Sequence, residues 1–114
     1  MVGLAPTFEE HIAIIAAESP TAAILDWWRR LDRAVQKHFA LVHGRRAKRP
    51  RDLEKHVAGY PGLGPTVSAR ISTLRLRRNV VAHEDIAALS PDEAISYARE
   101  AFEIMGILFN AWPK

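Results

Sequence analysis

The chain has 114 residues, 48% of them hydrophobic and 25% charged, with 16 Lys and Arg against 13 Asp and Glu and no cysteine. That length and apolar fraction suffice for one small domain with its own core, while the missing cysteines exclude disulfide scaffolds, thiol nucleophiles and Cys-ligated zinc and make a cytoplasmic location the expectation. No uncharged run approaches the roughly 20 residues that cross a bilayer, and Glu9 and Glu10 stand where a signal peptide is basic, so neither membrane insertion nor export is expected.

Helix punctuation is legible along the chain. Thr7 with Glu10 predicts a capping box, and Phe8, Ile12 and Ile15 share one face of a short first helix that stops at Ser19-Pro20. Ser19 as cap and Pro20 as first residue open a long second helix with Ile24, Trp28, Leu31, Val35, His38 and Val42 as its core stripe, ended by Gly44. Trp27, about 100° from Trp28, is expected at the edge of the core or in an interface. Arg45 to Arg51 reads as a basic loop broken by Pro50, followed by a short helix around Asp52 to Ala58 and a turn from Gly59 to Gly64. Pro65 restarts a helix carrying Val67, Ile71, Leu74 and Val81. Ser90-Pro91-Asp92-Glu93 predicts a second capping box, opening a last helix with Ile95, Ala98, Phe102, Met105, Phe109 and Trp112 inward. No segment alternates as a strand does. The expected fold is therefore all-α, an up-and-down bundle of four to five helices formed by residues 1 to 114 as one domain.

The net charge of +3 conceals a strong division. From Arg29 to Arg78 fourteen basic residues face three acidic ones, a surplus of +11, and the segments before and after each carry −4. A basic middle of this kind suits a polyanion; Arg29, Arg30, Arg33 and Lys37 equally suit a solvated helix face.

One residue breaks the apolar stripe of the fourth helix. The series Val67, Ile71, Leu74 continues to Arg78 before Val81. A buried guanidinium needs a carboxylate, a cleft or a second subunit. Arg75, Asn79 and His83 step by four on the adjoining strip, so guanidinium, amide and imidazole groups gather over two turns. Such groups can cleave RNA without metal: the imidazole moves a proton from the 2′-hydroxyl or to the departing 5′-oxygen, and arginine stabilises charge on the phosphorus. One helix holds one such histidine, and a two-fold dimer would supply a second. The structural alternative is an Arg78 neutralised by Glu84, Asp85 or an acid of the last helix, with His83 ending its helix and favouring the dipole.

The stretch Leu-Arg-Leu-Arg-Arg-Asn-Val-Val-Ala-His, residues 74 to 83, resembles the signature of the HEPN superfamily (higher eukaryotes and prokaryotes nucleotide-binding), an Arg, commonly followed by Asn, four to six residues before a His. Arg78-Asn79 with His83 fits. The resemblance covers residues 67 to 112, including the helix opened by Ser90-Pro91-Asp92-Glu93-Ala94, and is architectural before that. It implies a homodimer with Arg78 and His83 in an interfacial cleft, Arg78 on the scissile phosphate, His83 in proton transfer and Asn79 in support. It also implies a metal-independent endoribonuclease of toxin or defence type, with a cognate antitoxin or nucleotidyltransferase-type partner. Toxin members that pair with a minimal nucleotidyltransferase often carry Tyr two residues after the His, where this chain has Asp85.

Arg75 and Arg77, together with Arg45, Arg46, Lys48 and Arg49 of the basic loop, are the expected RNA contacts. Two other readings compete with cleavage. One is a non-catalytic HEPN-like module that binds RNA or a protein partner; the other is a helix-turn-helix DNA binder using residues 63 to 70 with Arg70, Arg75 and Arg77, for which the Gly59 to Gly64 turn is long. The five histidines show no metal-ligand spacing and the glycines no phosphate loop, so neither metal nor cofactor is expected. His38 is expected to cap a partly wet core position.

Overall fold

The structure, a computed structural model, describes residues 7–83 and 89–113. Among them are five helices and no strand: α1 (Phe8–Glu18), α2 (Pro20–His43), α3 (Pro50–Gly59), α4 (Pro65–His83) and α5 (Pro91–Asn110).

Local chemistry sets the boundaries. The Thr7 hydroxyl accepts the Glu10 N–H at 3.2 Å while Glu10 accepts the Thr7 N–H at 3.4 Å, which closes the capping box. Ser19 ends α1 and caps α2, its hydroxyl accepting the Ala22 N–H at 3.2 Å. Gly44 terminates α2 at φ 69°, a left-handed conformation that a side chain would strain. α3 begins at Pro50, earlier than the sequence pattern suggests, because Pro50 supplies a helical φ at a position whose N–H has no partner to lose. At α5 only half of the expected box forms. Ser90 accepts the Glu93 N–H at 3.2 Å, but the Glu93 carboxylate is drawn away to Arg77 of α4 at 2.6 Å.

α2 is the hub, packing against all four other helices and most extensively against α5; α3 packs on α4, and α1 and α4 on α5. The seam between α2 and α5 differs from the expected one. On α5 the buried residues are Ala94, Tyr97, Ala98, Ala101, Ile104 and Leu108, whereas Phe102 and Phe109 are more than half exposed and Ile95 and Met105 are half-buried. Ala98 is buried as expected, but the rest of the seam turns toward the adjoining apolar face, where small alanines permit close helix packing. On α2, Trp27 is the buried tryptophan and Trp28 the half-buried one, reversing expectation, and Val42 is exposed. Trp27 is enclosed by Phe8 and Phe102, ring centroids 5.4 and 6.3 Å away, so α1 covers it.

Candidate RNA-binding cleft

A cleft of about 810 Å³ opens between α2, α3, α4 and the loop that joins α2 to α3. Its floor is apolar, with Val35, Leu53, Val57 and Ile71; its cations are Lys48, Arg49, Arg51, Arg75 and Arg78. Arg78 is half-buried, and its Nη1 donates to the Asn79 side-chain oxygen at 3.0 Å. No described carboxylate forms an ion pair with it. The helix thus inserts a guanidinium into its apolar stripe at the point where neighbouring helices part, and the cleft receives it. Glu84 and Asp85 lie outside the described residues.

The other arginines of α4 are committed within the chain. Arg70 pairs with Glu100 and, at 3.0 Å, with Glu103; Arg77 pairs with Glu93 at 2.6 Å, in a separate groove between α4 and α5. Arg75 lies in the cleft and pairs with Glu54, which also accepts the Ser72 hydroxyl at 3.4 Å. These partners come from α3 on one side and α5 on the other, so α4 is fixed in rotation and Arg78 is held toward the cleft.

His83 occupies the exposed C-terminal residue of α4. It extends the strip of Arg75 and Asn79, about 6 Å beyond Asn79 along the axis and about 140° around the helix from Arg78. Arg78, Asn79 and Arg75 line the cleft; His83 does not. The loop residues divide likewise. Lys48 and Arg49 line the cleft, Arg49 at 3.9 Å from Asp52, whereas Arg45 and Arg46 are exposed outside it, with the Arg45 guanidinium 5.3 Å from the centre of the Phe39 ring. Arg29, Arg30, Arg33 and Lys37 are all exposed on α2.

Sequence reasoning missed several cleft groups, among them Glu54 of α3, Ser72 of α4 and Trp28, Asp32 and Gln36 of α2. Burial raises the Asp32 carboxyl above the ordinary range, opposed by the hydrogen bond from Gln36 and by the charges of Arg78 and Arg75. The four-residue spacing of Trp28, Asp32 and Gln36 carried no signal of its own, since the expected core stripe already took Trp28 and Asp32 entered only the charge count.

A second polar cluster joins histidines that the sequence scatters. His38 lies in the core as its stripe predicts but is fully buried, not partly wet. Its Nε2 lies 2.8 Å from the Ala111 carbonyl, its Nδ1 2.8 Å from His56 Nε2, and His56 Nδ1 3.0 Å from His43 Nε2. A carbonyl only accepts, so His38 carries its proton on Nε2; His56 then donates through Nε2 to His38, and His43 through Nε2 to His56. The chain of bonds runs in one direction, from exposed His43 to the turn after α5. Burial lowers the His56 pKa to about 4, assisted by the neighbouring His38 and His43. Among the described residues no group of His, Asp and Glu has a metal-binding arrangement.

No helix among the described residues is long and apolar enough to cross a membrane. Comparison with protein-family models, with curated proteins and with solved structures finds no match to the chain.

Proposed function

We propose that this chain is a HEPN-like, cytoplasmic RNA-binding domain that acts as a homodimer and cleaves single-stranded RNA without metal, in a toxin or defence setting. The observation that carries the reading is Arg78: half-buried, held by Asn79, unpaired with any described carboxylate and open to a cleft with four further cations. A phosphate in the cleft supplies the close ion pair that no described carboxylate makes with it. In this reading Arg78 stabilises the scissile phosphate and Asn79 holds the guanidinium. His83, one turn beyond the cleft, moves the proton, and the copy of α4 in a second subunit contributes the other imidazole. A cognate antitoxin or nucleotidyltransferase-type protein would cover the site when cleavage must be silent.

The position of His83 outside the cleft favours a second reading, an RNA- or partner-binding module that does not cut. The duplex-DNA reading needs Arg70, Arg75 and Arg77 to extend from α4, and each holds an acid of its own chain.

One experiment decides between cutting and binding. Purified protein is incubated with single-stranded RNA in EDTA, and the ends are analysed for 2′,3′-cyclic phosphate. Cleavage abolished by Arg78→Ala and by His83→Ala supports the enzyme; RNA binding that Arg78→Ala weakens, without cleavage, supports the RNA-binding module; absence of RNA binding refutes both of these and leaves only the partner-binding form of the module.

A further inference from the structure

The face that α2 turns to the cleft has no role in the cleavage chemistry proposed for Arg78 and His83, although Asp32 lies within reach of the Arg78 charge. Trp28, Asp32 and Gln36 recur every fourth residue, so they form one row along the helix, and all three line the cleft with Arg75, Arg78 and Asn79 of α4. Trp28 and Asp32 are half-buried; Gln36 is exposed, and its Nε2 donates to Asp32 Oδ2 at 2.8 Å. Asp32 pairs with none of the described cations, although the cleft holds five. Glu54, the other carboxylate of the cleft, is taken by Arg75, whereas Asp32 has no ion-pair partner among the described residues; a carboxylate free in this way opposes phosphate, so its place is against a part of the ligand that is neutral and donates hydrogen bonds.

We infer that the α2 wall reads a guanine base of the bound strand, with Trp28 stacking on the ring, Asp32 accepting from N1–H and the N2 amine, and Gln36 donating to O6. The inference rests on the RNA reading above. The Gln36 amide has two N–H groups, of which Asp32 takes one, so the row presents a donor followed by a carboxylate that only accepts. Guanine offers the complement, an acceptor beside two adjacent donors. Adenine and cytosine place a ring-nitrogen lone pair beside their single amine, and uracil flanks its one N–H with two carbonyls, so each sets lone pairs against the carboxylate or leaves it short of donors. Single-stranded RNA exposes this edge, and aromatic stacking with edge hydrogen bonds is how such strands are read.

The test uses 2′-O-methyl oligo-uridine octamers, which resist cleavage at the 2′ position, carrying one central guanosine, adenosine or inosine, titrated with the whole chain at fixed salt in EDTA. The expected result is about tenfold tighter binding of the guanosine strand than of the adenosine strand, with inosine, which lacks the N2 amine, in between. Asp32→Asn and Gln36→Glu, each verified as folded by circular dichroism, erase the preference. Equal affinity for guanosine and adenosine strands, or a preference that survives both substitutions, overturns the base assignment and leaves phosphate binding standing. Failure to bind any octamer overturns the RNA reading and this inference with it.

Discussion

Acid should destabilise this protein through His56. The imidazole is neutral in the folded state, its pKa lowered to about 4 from an ordinary 6.5, because it lies between α2 and α3 against His38, Phe39 and Tyr60. Between those two pH values the unfolded chain binds a proton that the folded chain refuses, so stability falls as pH falls through 6.5 and levels off near 4. The full difference corresponds to at most about 3 kcal/mol; screening by water at the exposed His43 end reduces the expectation to roughly 1–2 kcal/mol. Urea unfolding at pH 7, 6, 5 and 4 measures it, with His56→Phe as the comparison. The variant loses about 1–2 kcal/mol at pH 7, because His38 Nδ1 is left without its donor, but its stability responds less to acid, so the two curves approach one another toward pH 4. Parallel curves would refute the assignment of the acid response to His56.

Two further predictions follow from the placement of charge and hydroxyl. Replacing Lys48 and Arg49 with Ser weakens RNA binding and lowers the slope of log affinity against log salt by about 1.4 if each cation meets a phosphate, whereas replacing Arg45 and Arg46, outside the cleft, changes the slope by less than half of that; filter binding across a salt series compares the pairs. Tyr97→Phe removes the hydroxyl that donates to the Leu74 carbonyl at 2.8 Å, and calorimetry should show a loss of about 1 kcal/mol with the helical spectrum retained.

Helix limits were legible in the sequence because they depend on neighbouring residues. Ser19-Pro20, Gly44, Pro65 and Ser90 each act through their own φ or a hydroxyl within three residues, and tertiary packing leaves them in place. Choosing between two apolar faces is different. On α5 the expected stripe through Ala98, Phe102 and Phe109 and the buried one through Ala94, Ala98 and Ala101 share Ala98 and the same period, and only the partner helices decide which of the remaining residues go inward. The same ambiguity exchanged Trp27 with Trp28. Arg78 stood out because it interrupted a stripe, and the structure places it in a cleft; the row Trp28, Asp32, Gln36 interrupted nothing and became visible only when α4 was packed against α2. His38, His43 and His56 had no local signature either, since the loop after Gly44 has to return α3 alongside α2 before their rings meet.

The alanine seam of α5 has a consequence on the far side of α2. Ala94, Ala98 and Ala101 are fully buried, and α2 is the wall shared by that seam and the cleft. Because α5 packs most extensively on α2, a bulkier residue on that buried face would press on the helix pairing and so shift Trp28 and Asp32 relative to Arg78. The dimensions of the binding site are thus written partly in residues that no ligand can touch, and its selectivity could drift through substitutions on the opposite face of the hub helix while every cleft residue stayed the same.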